Sequence, residues 1–291
     1  MAITPMGLLT IKSKMLTIFL PSTALDDAPD LRAKTEKVFR IARSLAIFRV
    51  DQCIVYRDPF ITKKQHQRNA SLIRLLLQYL ECPQYLRKRL FPRHSLLVFV
   101  GILPPLATSH HFTHPPSSVG EIREAAVFLS QRRVVAEVGW KKPILVSNPP
   151  KIRFSEQSKR LTIRITNLDP PQCEILAKPF EMQNKYWGYK VRASDALLSH
   201  AASNYDGLIA ATSKKCSPLQ PADKLKLEKS SNVAVLFGSP SKGLDQILKA
   251  EQKRVSEIAQ LCFSVTQNPG TRTIRLEEAI LLALASYERK S

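Results

Sequence analysis

Apolar residues in the first ninety positions occur either in short runs or at helical spacing. Leu16–Leu20 and Gln52–Tyr56 are short apolar runs with the length of buried strands. Asp30 is placed to cap a helix that begins near Leu31, and leucines at helical spacing predict a second helix over residues 65–81. This part of the chain therefore predicts an α/β arrangement.

The pattern changes near Phe91, where helical spacing gives way to short alternating runs. Strands are expected at Ser95–Gly101, Glu124–Leu129, Arg133–Val138, Arg160–Thr166 and Cys173–Ala177. Five short strands over about ninety residues favour a small β-barrel of the OB type, which often binds single-stranded nucleic acid. A β-rich dimerisation or spacer module would give the same pattern.

The α/β pattern returns after Tyr186. Predicted strands are Tyr189–Val191, Gly207–Ala211, Val233–Phe237 and Leu261–Val265, and predicted helices are Ser194–Ala202, one ending near Ile258, and Leu276–Glu288. The predicted fold is an α/β domain with a parallel sheet, built from residues 1–91 and 185–291. Residues 92–184 are expected to insert an OB-like, RNA-binding β-barrel into it.

The net charge adds a class of partner to this picture. The chain of 291 residues has 44 Lys and Arg against 24 Asp and Glu, a formal net charge of +20. The excess is spread, with 16 basic and 7 acidic residues in 1–91, 12 and 7 in 92–184, and 16 and 10 in 185–291. Folded basic surface favours a polyanion, above all nucleic acid, although a merely basic surface is the alternative. The 44% hydrophobic content excludes an intrinsically disordered chain, and the absence of a Gly-X-Y period excludes a collagen-like one.

Cysteine spacing and apolar runs bear on the compartment. The five cysteines form no CxxC pair, which argues against a zinc ribbon and favours a reduced protein with isolated thiols. No apolar run is long enough to predict a transmembrane helix. Lys12 and Lys14 precede only a short apolar run without a small-residue cleavage site, so we expect no secretory signal and a cytoplasmic location.

The strongest local signal for a ligand is the glycine-bracketed loop Leu236–Leu244 between a predicted strand and a helix. Gly238 and Gly243 have P-loop spacing, but the phosphate-binding lysine and the hydroxyl residue do not follow, so a P-loop is excluded. Two more polar loops, Ile209–Lys215 and Thr266–Ala279, also follow predicted strands. Open α/β sheets bind ligands at such carboxyl ends, while an ordinary strand-to-helix turn would explain the glycine loop alone.

These three loops, in this order near the C-terminus, resemble the cofactor site of the SPOUT methyltransferases. Those enzymes fold their C-terminal segment through a loop into a deep trefoil knot and bind S-adenosylmethionine inside it. The chain is most similar to the archaeal and eukaryotic branch that carries an OB-fold inserted in the knot domain. The shared patches span nearly the whole chain and are Ile41–Phe48, Val50–Asp51, Gly101–Leu106, Gly120–Arg123, Tyr186–Tyr189 and Thr271–Ile280.

The resemblance implies an S-adenosylmethionine-dependent RNA methyltransferase that acts as a homodimer, with methylation of uridine N3 in ribosomal RNA implied for eukaryotic members. It places cofactor contacts on the three loops: Thr212 and Ser213; Gly238, Ser239 and Gly243; Asn268, Pro269, Gly270, Thr273 and Ile274. Arg43 aligns with a helical arginine that lies beside the target nucleotide in the branch that methylates tRNA ribose, and it is the candidate catalytic residue. The chain departs from the pattern at its non-acidic second loop, GSPSKG, and at Arg49, where many relatives have a small residue.

Several histidine and aromatic residues have two interpretations. His110, His111 and His114 could ligate a metal, but no carboxylate or cysteine completes the set nearby in sequence, so no metal is expected. Trp187 and Tyr189 could stack on a base or pack at the junction of the two domains.

Charged and thiol side chains also have alternatives. Glu277 and Glu278 could abstract a proton or simply favour the dipole at the start of the last helix. Cys216 and Cys262 could be nucleophiles, but N-methylation needs none. Residues 61–68 could contact phosphates or form a solvated helix start.

Two functional hypotheses follow. The first is the RNA methyltransferase, and the second is a non-catalytic RNA-binding or ribosome-assembly factor with an OB-fold and a silent knot domain.

Overall fold

Six parallel strands form a single sheet in the computed structural model, which describes residues 14–150, 154–176 and 186–287. The strand order is β11-β9-β10-β1-β2-β8, and every neighbouring pair is parallel. The strands are β1 (Met15–Pro21), β2 (Gln52–Arg57), β8 (Lys190–Leu197), β9 (Leu208–Thr212), β10 (Asn232–Leu236) and β11 (Leu261–Phe263). Their carboxyl ends therefore share one edge of the sheet.

Helices cover both faces of this sheet. The helices are α1 (Leu31–Ile47), α2 (Lys63–Glu81), α3 (Gln84–Leu90), α4 (Leu198–Ser203), α5 (Pro221–Lys229), α6 (Leu244–Ala250), α7 (Val255–Ile258) and α8 (Leu276–Ser286). Apolar residues of α1, α2, α5 and α8 share one buried cluster with the sheet, and those of α4 and α6 share the other. Asp30 caps α1 through Ala33 N, at 2.8 Å from its Oδ1, as predicted. No helix in the described ranges is long and apolar enough to cross a membrane.

A separate closed barrel lies between β2 and β8 in the chain. Its strands are β3 (Ile122–Ser130), β4 (Arg133–Glu137), β5 (Ile144–Val146), β6 (Lys159–Leu168) and β7 (Pro171–Ile175). They close in the order β3-β4-β5-β7-β6, with β5 and β7 parallel and the other pairs antiparallel. The predicted α/β sheet and five-stranded barrel are thereby confirmed.

One strand prediction in the middle of the chain was wrong, and one strand was not predicted. Ser95–Gly101 does not form a strand but two short 3-10 turns, at Ser95–Leu97 and Val100–Ile102. A buried strand would be packed on both faces, but this apolar run is not, and Val98 is 66% exposed. The strand that replaces it in the barrel is β5, Ile144–Val146. It was not predicted because it has only three residues, between Pro143 and Ser147.

Other predicted boundaries also changed. The helix predicted at Ser194–Ala202 begins only at Leu198, because β8 continues to pair with β2 up to Leu197. The helix expected to end near Ile258 is two helices, α6 and α7. The predicted ends at Ala177 and Glu288 and the domain boundary at 184/185 lie outside the described residues.

The expectation of five isolated thiols was wrong for two cysteines. Cys216 and Cys262 form a disulfide with a Cα–Cα distance of 5.9 Å. The pairing is possible because β9 and β11 are neighbouring strands, which brings together residues 46 positions apart. Cys82 and Cys173 are free and buried, and burial raises the pKa of each thiol to about 12.

Arg49 follows the end of α1 in a left-handed backbone conformation, with a φ of 52°. This is the position at which helices commonly end in glycine, because a Cβ is unfavourable there. The left-handed backbone at position 49 therefore favours glycine, which gives a physical reason for a small residue there.

A buried ion-pair network joins the barrel to the parallel-sheet domain. Arg160 of β6 donates from Nη1 and Nη2 to Glu81, at the end of α2, over 2.6 and 3.0 Å. Its Nε donates to Glu124 of β3 over 2.7 Å. Both carboxylates are buried. Burial would raise the pKa of Glu124, but Arg160 and hydrogen bonds to the carboxylate hold it below its usual value.

The segments that connect the two domains complete this network. His110 Nε2 lies 3.1 Å from Glu81 Oε1, and Trp187 Nε1 donates to Glu124 Oε1 over 2.6 Å while its ring stacks on His110. Gly188 has a φ of 82°, and a Cβ at this position would overlap Glu81 Oε1. The network therefore requires glycine where the chain leaves the barrel.

Replacing Arg160 by leucine should lower the free energy of unfolding by about 3–5 kcal/mol, because Glu81 and Glu124 lose their cation while buried. Arg164→Leu is the matched control on the same strand. Its pair with Glu174 is about one-third exposed on both sides, so a loss of about 0–1 kcal/mol is expected. Denaturant titration measures both, and equal losses would contradict the importance of the network.

Candidate functional site at the carboxyl edge of the sheet

Three loops meet at the carboxyl edge because β11, β9 and β10 are adjacent parallel strands. The loop after β9 contacts the end of β11, where Ser213 N donates to Phe263 O over 3.0 Å. It also contacts β10, where Thr212 Oγ1 donates to Leu236 O over 2.9 Å. The structure thus brings together the starts of the three loops singled out in the sequence.

The first loop is tied to its neighbours on several sides. Ser213 Oγ donates to Asp245 Oδ2 of α6 over 3.2 Å, and Lys215 Nζ lies 3.5 Å from the same oxygen. The disulfide of Cys216 with Cys262 fixes the loop to β11. The side chains of Thr212 and Ser213 therefore bind neighbouring segments. The main chain of the loops is left to line the carboxyl edge of the sheet.

The second loop is a tight turn between β10 and α6. Ser239 N donates to Lys242 O over 2.8 Å, and Lys242 N donates back to Ser239 Oγ over 3.0 Å. A Cβ on Gly238 would lie 2.7 Å from Lys242 O and 2.9 Å from Leu244 N. Glycine is therefore required at position 238, whereas Gly243, which begins α6, faces open space.

The third loop runs from β11 to α8 over residues 264–275. Asn268, Pro269, Gly270 and Thr273 are exposed and Ile274 is half-buried. Thr271 Oγ1 donates to Thr273 O over 3.1 Å, and Arg275 N donates to Glu278 Oε2 over 2.9 Å at the start of α8. These five predicted residues thus lie on a solvent-facing loop that follows β11, the strand at one side of the sheet.

Arg43 lies on α1 and is half-buried. Its Nη1 donates to Leu106 O over 2.7 Å, in the segment that leads from α3 to the barrel. One of the five guanidinium N–H groups is thereby used. The structure gives Arg43 a contact with the inter-domain segment and places it on a helix that packs against the sheet.

Sequence reasoning missed the residues at the end of β2. Tyr56 is buried under the second loop and its hydroxyl donates to Phe237 O over 2.8 Å. Burial raises the pKa of this phenol well above its usual value, so it remains a donor. Asp58 is 1% exposed and accepts from Thr23 Oγ1 over 2.5 Å and Phe60 N over 2.9 Å. Tyr56 ends a predicted strand and Asp58 follows it, at the carboxyl edge of the sheet, and this position was the available signal.

The histidine and aromatic candidates have structural roles. His110 and His111 contact Glu81, and burial lowers the pKa of His111 to about 4. Trp187 belongs to the junction network, and Tyr189 is buried with its hydroxyl donating to Leu77 O over 3.1 Å. The interpretation of Trp187 and Tyr189 as packing residues is confirmed. Across the described ranges, no group of three or more His, Cys, Asp or Glu is arranged to hold a metal.

Glu277 and Glu278 also act structurally. Glu277 is buried, with its carboxylate 3.2 Å from the Lys37 ammonium of α1. Glu278 caps α8 through Arg275 N. In residues 61–68, Thr62 and Gln65 form a capping box for α2, and Lys63, Lys64 and Arg68 are exposed.

A parallel sheet with polar loops at its carboxyl edge, joined to a separate barrel on a basic chain, is the architecture of an enzyme that acts on nucleic acid. Residues 15–287 match the sequence model of the family described as "Putative RNA methyltransferase". The chain belongs to this family and is an RNA methyltransferase.

Individual relatives resemble it over most of their length. A human protein named 28S rRNA (uridine-N(3))-methyltransferase is 32% identical over 94% of this chain and 77% of its own length. The Drosophila melanogaster protein of the same name is 30% identical over 94% of this chain and 62% of its own. A protein of Halobacterium salinarum without an assigned function is 28% identical over 93% and 97%.

Replacing Gly238 by alanine should reduce the affinity for the methyl donor at least ten-fold, or ~1.4 kcal/mol, because the new Cβ forces the second loop open. Gly101→Ala is the control, since a Cβ there meets nothing within 4 Å. Calorimetric titration with S-adenosylmethionine measures both. Unchanged affinity in Gly238→Ala would separate the second loop from donor binding.

Proposed function

We propose that the chain transfers a methyl group from S-adenosylmethionine to uridine N3 of ribosomal RNA, in the cytoplasm. The observation that carries this proposal is the similarity over 94% of the chain to the human 28S rRNA (uridine-N(3))-methyltransferase. The meeting of the three loops at one sheet edge supplies a place for the chemistry.

The three loops would bind S-adenosylmethionine largely through main-chain groups. Gly238 lets the second loop fold tightly on its own backbone, against Lys242 O and Leu244 N, and this turn sets the position of the main-chain groups that would face the donor. Asp245 is the one acidic residue in positions 212–217, 237–245 and 264–275, and it is bound to Ser213 and Lys215 of the first loop. In the SPOUT enzymes that the chain resembles, adenine is held largely by main-chain groups. When bound, the donor would supply an electrophilic methyl group.

The chain's residues would prepare the acceptor. A base has to be splayed out before its N3 can meet the methyl group, and it then has to lose its weakly acidic N3 proton. Arg43 lies near the C-terminal end of α1, which leads to the amino end of β2 and so away from the three loops of its own chain. With further N–H donors beside the one bound to Leu106 O, it would stabilise the developing anion at the site of a second copy of the chain. The non-acidic second loop, GSPSKG, leaves no general base assigned.

The barrel would bind the RNA. Its closed order, with the third and fifth strands parallel, supports the OB-like assignment. Exposed basic side chains on its strands and turns suit phosphates, namely Arg132, Arg133, Lys141, Lys142 and Lys159. RNA affinity should therefore fall with salt, and donor affinity should change far less.

The knot and the homodimer belong to the same proposal. The last helix, α8, comes back across the sheet to α1, where Glu277 pairs with Lys37, and this return supports a C-terminal segment folded through the chain. Leu281 and Leu282 of α8 are 42% and 40% exposed. Adjacent exposed leucines on a core helix are suited to a second copy of the chain.

The alternative is an RNA-binding assembly factor whose site is catalytically silent. The absence of an acidic residue within the GSPSKG loop favours it. The names of the relatives favour the enzyme, and methyl transfer to total RNA from a strain that lacks the gene decides between the two.

Replacing Arg43 by alanine should lower kcat for methyl transfer to RNA about 10²- to 10³-fold and leave donor affinity unchanged. Arg32→Ala, an exposed arginine on the same helix, should behave like the wild type. The assay is label transfer to total RNA from a strain that lacks the gene. Full activity in Arg43→Ala would remove its catalytic role, and a wild type that binds no donor in several buffers would overturn the proposed function.

Introducing glutamate at both Leu281 and Leu282 should convert a dimer into a monomer of 32.8 kDa, because charge would be buried in the interface. Leu225→Glu is the control, since Leu225 is 49% exposed on α5. Sedimentation equilibrium measures the mass, and a monomeric wild type would contradict the dimer.

A further inference from the structure

Phe60 is an exposed aromatic residue beside the candidate site. It follows β2 at the carboxyl edge and is 50% exposed. All other aromatic side chains in the described ranges are buried or half-buried. Single exposed apolar side chains are common on proteins, so Phe60 is distinguished by its place beside the second loop and by the contacts that hold it there.

The ring is presented on a fixed backbone. Phe60 N donates to Asp58 Oδ1 over 2.9 Å, and the same buried carboxylate accepts from Thr23 Oγ1 over 2.5 Å. Asp58 N in turn lies 3.5 Å from Ser22 Oγ. The loops after β1 and β2 thus hold Phe60 in place, which lowers the entropy cost of binding a partner on it.

Phe60 also contacts the second loop directly. The Lys242 ammonium lies 5.2 Å from the centre of its ring. Lys242 belongs to the turn that Gly238 and Ser239 form, and β2 is separated from β10 only by β1. The ring therefore stands at the border of the site proposed for the methyl donor.

We infer that Phe60 is a stacking platform for an unpaired base of the RNA substrate, next to the nucleotide that receives the methyl group. Unpaired RNA bases are held by stacking on aromatic rings, with phosphates neutralised by nearby cations. Lys242 supplies one cation at the ring, and exposed Lys64 and Arg68 follow on the first turns of α2. This inference rests on the proposed function.

The surroundings favour RNA over a protein partner. The residues that follow Phe60, from Thr62 to Arg68, are polar or basic and mostly exposed. Interface cores are depleted of lysine, whereas a basic surface with one aromatic ring matches single-stranded nucleic acid. A subunit contact through Phe60 is tested as the other outcome below.

The test compares Phe60→Ala, Phe60→Leu and Phe60→Tyr in methyl transfer to RNA and in RNA binding at fixed salt. The alanine and leucine variants should lower RNA affinity and kcat/KM about 5- to 100-fold, the range for loss of one stacked base. Tyrosine keeps the ring and should restore both. Leu225→Ala, of nearly equal exposure, should match the wild type.

Three results separate this inference from the proposed function. Equal RNA affinity and kcat/KM in wild type, Phe60→Ala and Phe60→Leu would overturn the stacking role. A change of oligomeric state in Phe60→Ala, seen by sedimentation, would overturn it in favour of a subunit contact. If the wild type bound no S-adenosylmethionine but RNA affinity still depended on the ring, the proposed function would fail and the stacking platform would stand.

Discussion

Arg160 is the side chain on which the relation between the barrel and the sheet depends. It neutralises Glu81 of the sheet domain and Glu124 of the barrel, both buried, and a buried carboxylate without its cation is strongly unfavourable. Trp187 and His110 stack against each other and hydrogen-bond the same two carboxylates. A chain with a charge of +20 thus uses two of its few carboxylates to fix the direction in which the barrel faces the sheet.

The direction of the strands is the second constraint. Because all six strands are parallel, the loops that follow them open at one edge, and those after β11, β9 and β10 become neighbours. The side chains of Thr212, Ser213 and Tyr56 hydrogen-bond to neighbouring segments and so fix these loops. The contacts available to a ligand at these loops are therefore largely main-chain. The hydrogen bonds of Asp58 to Thr23 and Phe60 fix the neighbouring part of the carboxyl edge, after β1 and β2.

The parts of this fold that depend on local pattern could be predicted from the sequence. Asp30 marks the start of α1, and the alternation in β3, β4 and β6 indicates a barrel. β5 could not be predicted, because three residues carry no periodicity, and the Ser95–Gly101 run was misleading because its composition suits a strand while its packing does not. The Cys216–Cys262 pair and the Arg160 network join residues far apart in the chain. Tertiary contacts of this kind leave no local signal. Tyr56 and Asp58 did have one, because they lie at the end of a predicted strand, but their hydrogen-bond partners could not be predicted.

In the proposed function, the basic surface and the barrel bind RNA, and the loops at one edge of the sheet hold the reacting groups. Membership of an RNA methyltransferase family fixes the reaction class, and the human relative suggests the atom that is methylated. Mass spectrometry of nucleosides from ribosomal RNA, in cells with and without the gene, tests this claim most directly. The account predicts that N3-methyluridine is present with the gene and absent without it. An unchanged amount of N3-methyluridine in the two RNAs would contradict it.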